Sequence, residues 1–554
     1  MLLDSSSSGG RGFSRLAERN PAEASTSSLS ITRRLMRTMP SDAVSTASTS
    51  TKTQVRGWLQ RLVGSQRASG EAYVLTRWVF LRLLGLVYFF AFASLWSQIL
   101  GLIGSRGILP AADFLRAAAG SLGPRHSWLL PTLAWMNSSD TFLVALCAAG
   151  TVLSVLLMLD FAPLPILVVL WGCYLSLVNI GQDFLSFQWD ALLLEAGFLA
   201  IFFAPMRLLP GLSRDAPPSR VVLWLLRLLL FRLMFGSGVV KLASHDPSWR
   251  NLTALSFHYE TQPLPTPIAW YMYQLPLAFH KVSTALVFVV ELVAPFLIFA
   301  PRRLRFVGAG LLVGLQLLIA LTGNYAYFNL LTMILCILLL DDACLRRLVP
   351  ARLRARLPEP AQPAKNRSRR DLIVLPVAVV ILVISGVQMA DLFSKGNLVP
   401  GPARTLADML DPFHVVNSYG LFAVMTTSRP EIVVEGSADG KNWLPYTFFY
   451  KPGDVRRAPP WVAPYQPRLD WQMWFAALGG PGSSPWFEGF MLGLLRGSPP
   501  ILDLLQSNPF PHAPPRYVRA LLYDYRFTDR HTDGAWWRRE LQGIYLPAVS
   551  LAQP

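Results

Sequence analysis

Lys241, His258 and Glu260 are the residues with the clearest capacity for acid–base chemistry, and all three lie in one stretch, FRLMFGSGVVKLASHDPSWRNLTALSFHYETQPLPTP, residues 231–267. The stretch begins inside an apolar run that carries Arg232 and the small residues Gly236, Ser237 and Gly238, and it leaves that run at Lys241. A polar, aromatic, Pro-punctuated loop follows, with Trp249, Arg250, His258, Tyr259, Glu260 and Gln262. It is longer than a helix connection needs, so it reads as a site or a docking surface. A His-x-Glu pair can ligate a metal or move a proton, but a metal needs three or four ligands at matched spacing. His245 and His280 are distant in sequence, so neither a metal nor a cofactor is called for. GxSxG, P-loop and strand-GxGxxG motifs are absent.

Charges also occur inside apolar runs, where an unpaired one is costly. Arg232 and Glu291 fall near the middle of two runs adjacent in sequence, and each is expected to be the other's partner. In WDALLLEAGF, Asp190 stands at the mouth of a run and Glu195 lies deeper. Their i, i+5 spacing keeps them off one helix stripe, which favours packing or local hydrogen bonding over a paired-carboxylate centre. Nearer the C-terminus, Trp471, Trp474 and Phe475 recur at i, i+3 and i+4 as one aromatic helix stripe, with Arg468 and Asp470 as polar neighbours. Such a stripe is either a domain core or a grip for apolar patches on another protein, and these five are the candidate client-binding residues. Asn251-Leu252-Thr253 is an N-glycosylation acceptor sequence.

The elements that must hold these residues are membrane helices. The chain has 554 residues, 52% of them hydrophobic and only 15% charged, with 17 Trp. Its apolar residues come in runs of membrane-helix length, and in lipid a helix satisfies its own backbone. Nine spans are expected, at 78–96, 141–159, 163–178, 191–205, 221–240, 283–300, 306–321, 327–340 and 372–390. The net charge of +17 is spread beside these runs instead of forming a basic patch interleaved with aromatics. It therefore reads as a topology signal, with membrane lipid and not nucleic acid as the partner. Ten Lys/Arg before Arg77 and nine between Arg346 and Arg370 mark one side as cytoplasmic. The loop 241–282 and the chain after about 391 fall on the other side.

Residues 1–70 are Ser/Thr-rich without apolar periodicity and are expected to be a disordered cytoplasmic tail. Residues 75–395 make the multi-span membrane domain, and 400–554 an α+β domain outside the membrane. In the latter, EIVVEG and YTFFY read as strands around a turn at Asp439-Gly440. RLDWQMWFAAL and FEGFMLGLLRG read as helices, and RYVRALLYDYRF as extended chain. All four Cys lie in or beside apolar runs, so no disulfide framework is available to the exposed parts.

The runs WGCYLSLVNIGQDFLSFQWDALLLEAGFLAIF, FRLMFGSGVVKL, SWRNLT, FHYETQPLPTP, TGNYAYFNLLTM, LDDACL, FHVVNSYGLF, YKPGD, YQPRLDWQMWFAAL, NPFPHAPPRYVRALLYDYRF and AWWRRELQGIYLP, spread over about 75–550, resemble the lipase maturation factor family. The resemblance implies a multi-span membrane protein of the endoplasmic reticulum. It implies a chaperone-like assembly factor, not an enzyme, that helps secreted homodimeric lipases fold and pair. A lumenal C-terminal domain, starting near Asp411 here, would contact the client. The competing reading is a membrane-embedded enzyme with an outward-facing polar site of Lys241, His258, Glu260 and Glu195. It resembles the vitamin K-dependent carboxylases in joining a multi-span domain to an extramembrane one. A transporter fits poorly, since no inverted repeat is visible.

Overall fold

The computed structural model describes residues 72–212, 216–354, 369–394, 401–529 and 534–551. The tail expected at 1–70 and the basic stretch 355–368 lie outside them. Helices form where the apolar runs begin: α1 (Val74–Trp96), α2 (Ala111–Leu122), α3 (Asp140–Met158), α4 (Pro163–Ile180), α5 (Gln188–Phe203), α6 (Arg220–Ala243), α7 (Ala254–Thr261), α8 (Leu277–Leu292), α9 (Arg302–Thr322), α10 (Phe328–Ile337), α11 (Arg369–Ser394) and α12 (Gly401–Leu410). Their ends follow local chemistry. Ser139 Oγ accepts from the Phe142 amide at the start of α3, and Pro163 opens α4, where a missing N–H costs nothing. The start of α1 is capped from far away, since the Asp342 carboxylate accepts from the amides of Val74 and Thr76, each at 2.9 Å.

Each of the nine expected spans falls on a helix. Seven of the described helices are long and apolar enough to cross a membrane, and an eighth span results if α10 is counted together with Asp342–Leu348, from which it is bent by 115°. The remaining one, α5, has only 16 residues, and most of its side chains are buried, so it is enclosed by the others. Close approach inside the bundle is visible at Gly150 of α3. A Cβ there would stand 2.3 Å from the Phe92 ring of α1, so only glycine lets these two helices meet.

Beyond α12 the chain builds an α+β unit. Strands β1 (Pro430–Ser437), β2 (Leu444–Pro445), β3 (Thr447–Phe448), β4 (Leu505–Ser507), β5 (Tyr517–Phe527) and β6 (Trp537–Val549) accompany helices α13 (Arg468–Leu478) and α14 (Trp486–Leu495). An antiparallel sheet runs β2-β1-β5-β6, and β3 pairs with β4. Register sets its buried face: Ile432 opposes Leu522, Val434 opposes Ala520 and Gly436 opposes Val518. The turn expected at Asp439-Gly440 forms, with Asp439 Oδ1 accepting from the Lys441 and Asn442 amides at 2.8 Å and Gly440 at φ 74°. Register shifts between β5 and β6 bulge the edge strand, a device that discourages further pairing.

The protein is therefore a multi-span α-helical membrane protein with a C-terminal α+β domain. The two parts are not separately packed, because one buried apolar cluster runs from Phe80 and Leu192 in the bundle to Leu469, Trp471 and Phe487 in the C-terminal unit. The four cysteines are free thiols.

Candidate functional site

Three buried ion pairs among the described residues involve the charges singled out above. Arg468, the first residue of α13, reaches down to Asp190 on α5, with Nη1 2.9 Å from Oδ2 and Nη2 2.9 Å from Oδ1. Neither residue has any exposed surface. Tyr327 donates to the same carboxylate at 2.8 Å, Tyr174 donates as well, and Arg468 Nη1 also donates to the Phe184 carbonyl at 2.6 Å. A buried carboxylate is tolerable when its lone pairs are filled in this way.

Arg232 on α6 pairs with Glu195 on α5 at 2.6 Å, and Nη2 donates to Gln388 on α11 at 2.8 Å. The other Glu195 oxygen accepts from the Asn417 amide and the Tyr419 hydroxyl, both at 2.8 Å. Lys241 takes Glu291, at 2.7 Å and 2.9 Å to its two oxygens. The expected Arg232–Glu291 pair is thus not formed. Glu291, the penultimate residue of α8, meets Lys241, nine residues further along α6 than Arg232, while Arg232 meets Glu195.

The loop after α6 is held against the C-terminal domain. The Arg429 guanidinium, fully buried, donates to the carbonyls of Glu260 and Pro263 at 2.8 Å and also to that of Gln262. It pairs with Glu431 at 2.8 Å, and Glu431 in turn pairs with Lys451 at 2.9 Å. Glu260 accepts from the Phe527 amide at 2.7 Å. Burial pushes its carboxyl up, against the pull of that bond and of Arg526 and Arg429. Trp249 donates to the Phe422 carbonyl at 2.9 Å. Asn324, in the short loop before α10, accepts from the amides of Val462 and Ala463 and donates to the Pro460 carbonyl at 2.9 Å.

His258 stands beside this seam. Tyr325 donates its proton to Gln262 Oε1 at 2.8 Å, so the His258 Nε2 at 3.2 Å is the donor to the tyrosine oxygen. Nδ1 is then a sealed acceptor without a partner among the described residues. Burial, helped by the positive charge of Lys241, pushes the ring down to about 4. Tyr259 is buried in a satellite cluster with Ala269, Tyr525, Phe527 and Trp537. Arg250 and Asn251 face outward, Arg250 against His245 and Asn251 at the end of a short turn.

The aromatic stripe is core and not a grip. Trp471 and Trp474 are 4% and 7% exposed. Trp471 packs on Trp189 at 4.8 Å and on Phe187 and Tyr325 at 5.8 Å, while Trp474 donates to the Thr261 carbonyl at 2.9 Å. Phe475 is half-buried beside them. The expectation that these residues present a client surface is corrected by that burial: the docked 241–282 loop and α5 occupy the stripe. Asp470, likewise buried, accepts from the Tyr450 and Lys451 amides, yet burial pushes its carboxyl up to about 6.

The four residues that could form an acid–base centre are each committed elsewhere, Lys241 to Glu291, Glu195 to Arg232, Glu260 to the Phe527 amide and His258 to Tyr325. Among the described residues no group of three or more His, Cys, Asp or Glu is placed to hold a metal. Chemically the arrangement fastens two parts of a chain together. Sequence reasoning singled out Asp190 and Arg468 without joining them, and it passed over Arg429, Glu431, Lys451 and Asn324. The available signal for Asp190 was a carboxylate at the mouth of an apolar run, which demands a cation from somewhere; Arg468 opens an aromatic helix in the same way.

Comparison with known proteins accounts for both parts. The lipase maturation factor transmembrane domain model matches residues 75–347, and the lipase maturation factor C-terminal domain model matches 415–547. Human lipase maturation factor 2 is 38% identical, covering 87% of this chain and 83% of its own. Bovine lipase maturation factor 1 is 36% identical over 87% of this chain and 90% of its own, and the human form of that factor is 36% identical over 86% and 88%. No solved structure matches.

Proposed function

We propose, from the premise that the chain belongs to the lipase maturation factor family, that it is a non-catalytic membrane factor through which secreted lipases reach their active form. It acts in the endoplasmic reticulum, with the tail and basic loops cytoplasmic and the C-terminal domain in the lumen. Its clients are homodimeric lipases, which it helps to fold and pair. The observation that carries the reading is the commitment of the polar residues: Lys241 and Glu195 are spent on ion pairs between helices of the bundle, and Glu260 and Arg468 on contacts that fasten the C-terminal domain to it. An enzyme keeps such groups near substrate, whereas a scaffold spends them on rigidity.

The reading is tested by isolating the tagged full chain in mild detergent from cells that express a secreted lipase. Lipase recovered with it, enriched in the incompletely dimerised form, is the expected result. A chain that brings down no more lipase than an unrelated multi-span protein does would count against it.

A further inference from the structure

We infer that the segment 124–139, together with the start of the C-terminal unit around Met409 and Phe413, lies in the outer leaflet of the same membrane that the bundle crosses. The reading rests on the multi-span fold alone and does not depend on the lipase client. Depth is fixed by hydrogen bonds to α4. Thr132 Oγ1 donates to the Ser176 carbonyl at 3.0 Å, the Leu133 amide donates to Ser176 Oγ at 3.1 Å, and Asn179 Nδ2 donates to the Pro131 carbonyl at 2.9 Å. Asn179 Nδ2 also reaches the Pro412 carbonyl at 3.2 Å. The last residue of α4 is Ile180, so Ser176 lies about 6 Å inside that end at 1.5 Å per residue. Residues 131–133 are thereby held below the end of a spanning helix. Interfacial segments settle about 5–10 Å into the headgroup and acyl boundary.

The surface at that level is apolar. Trp128 is 50% exposed, Leu129 41%, Leu133 39%, Met136 83% and Met409 51%. Trp128 stacks edge-on against Phe413 at 4.9 Å, which ties the two segments into one rim. Arg125 is the one Asp, Glu, Lys or Arg residue in 124–139, and the exposed Asp408 and Asp411 on either side of Met409 put that part of the rim at the headgroup level. In water such a rim would be a costly apolar patch; at a bilayer surface, Trp and its neighbours are favoured. The helix that anchors the rim, α4, and its packed neighbour α3 expose Val152, Val155, Val168 and Val169 along their spans, so the occupant is the same lipid layer and not a separate partner.

The test uses the parent chain in phosphatidylcholine nanodiscs that contain a photoactivatable phosphatidylcholine with its reactive group near the glycerol. After irradiation, adducts mapped by mass spectrometry should fall within 126–136 as well as on α3. A second measurement places a nitroxide at Met136→Cys or Leu129→Cys in a chain with its four native cysteines replaced, with Leu541→Cys in the C-terminal sheet as the aqueous control. Collisions with oxygen should exceed those with a water-soluble nickel chelate several-fold at 136 and 129, and the order should reverse at 541. The inference is overturned if 126–136 stays unlabelled while α3 is labelled. It is equally overturned if the nickel chelate dominates at 136 and 129, or if both sites are shielded from both reagents, which would mean that protein covers the rim.

Discussion

At the scale of single residues, the buried charges make distinguishable predictions. Removing one member of a buried pair leaves the other uncompensated, at a typical cost of about 3–5 kcal/mol. Lys241→Met and Glu291→Leu should therefore each lower the amount of folded protein, and the double substitution should recover part of the loss. Arg232→Met combined with Glu291→Leu should instead be additive, because their partners are Glu195 and Lys241. Abundance in membranes and detergent melting temperature both report the difference; recovery in the second pair would mean that the two networks are one. For Asp190 and Arg468 even the double apolar variant should stay well below the parent, since the Tyr174 and Tyr327 hydroxyls lose their acceptor. Acid should act on two groups with opposite sign. His258 falls from 6.5 to about 4, so the unfolded chain takes up more protons between those values and this group's contribution to stability is lost as the pH drops through that range. Asp470 rises from 3.8 to about 6, so the folded chain holds the extra proton and its contribution grows on acidification from 6 toward 4. Asp470→Asn should then lose Tm more steeply than the parent over that interval, and His258→Gln less steeply. Equal slopes in all three chains would show that neither group titrates there.

At the scale of elements, the long apolar runs were legible because nothing but a membrane helix fits them. The strand β1 and its Asp439-Gly440 turn, and helix α13, were legible because their periodicity and turn chemistry agree. What could not be read was which faces meet. The stripe of Trp471, Trp474 and Phe475 has the same spacing whether it is core or surface; its burial depends on the 241–282 loop and α5, brought to it from more than 200 positions away in sequence. Depth counted along the sequence matches Arg232 with Glu291, and the count fails because Glu291 meets α6 at Lys241, nine residues beyond Arg232, where Glu195 of α5 takes the arginine instead. Strand β6 escaped notice because its bulges break the alternation that marks a strand. Two changes test the docking of elements. Trp474→Ala should cost about 3–5 kcal/mol, the range for large aromatic truncations in a core, and the protein should fall in abundance; unchanged abundance would return the stripe to the surface. At Gly101, in the short helix Ile99–Ile103, a Cβ would stand 2.3 Å from the Pro500 carbonyl oxygen. Gly101→Val should therefore push the C-terminal domain off the bundle, measured as new protease cleavage between about 395 and 430, and an uncut chain would contradict it.

At the scale of the whole molecule, the chain is a membrane bundle whose 241–282 loop, α5 and loop before α10 together seat a second unit. Arg468, Arg429 and Asn324 bolt that seat from within. A rigid platform of this kind suits a factor that must present one surface to a client during assembly, and it leaves the membrane helices to set the location. The central claim is that this docked whole, and not a reaction, brings a lipase to its active form. It is measured most directly as secreted lipase activity per mass of lipase, in cells that lack their own maturation factor and express the parent chain, the Asp190→Asn variant at matched abundance, or neither. The account predicts that the parent raises specific activity several-fold over the empty cells while Asp190→Asn raises it little. Specific activity that the parent leaves at the level of the empty cells, with the chain abundant and folded, would contradict it.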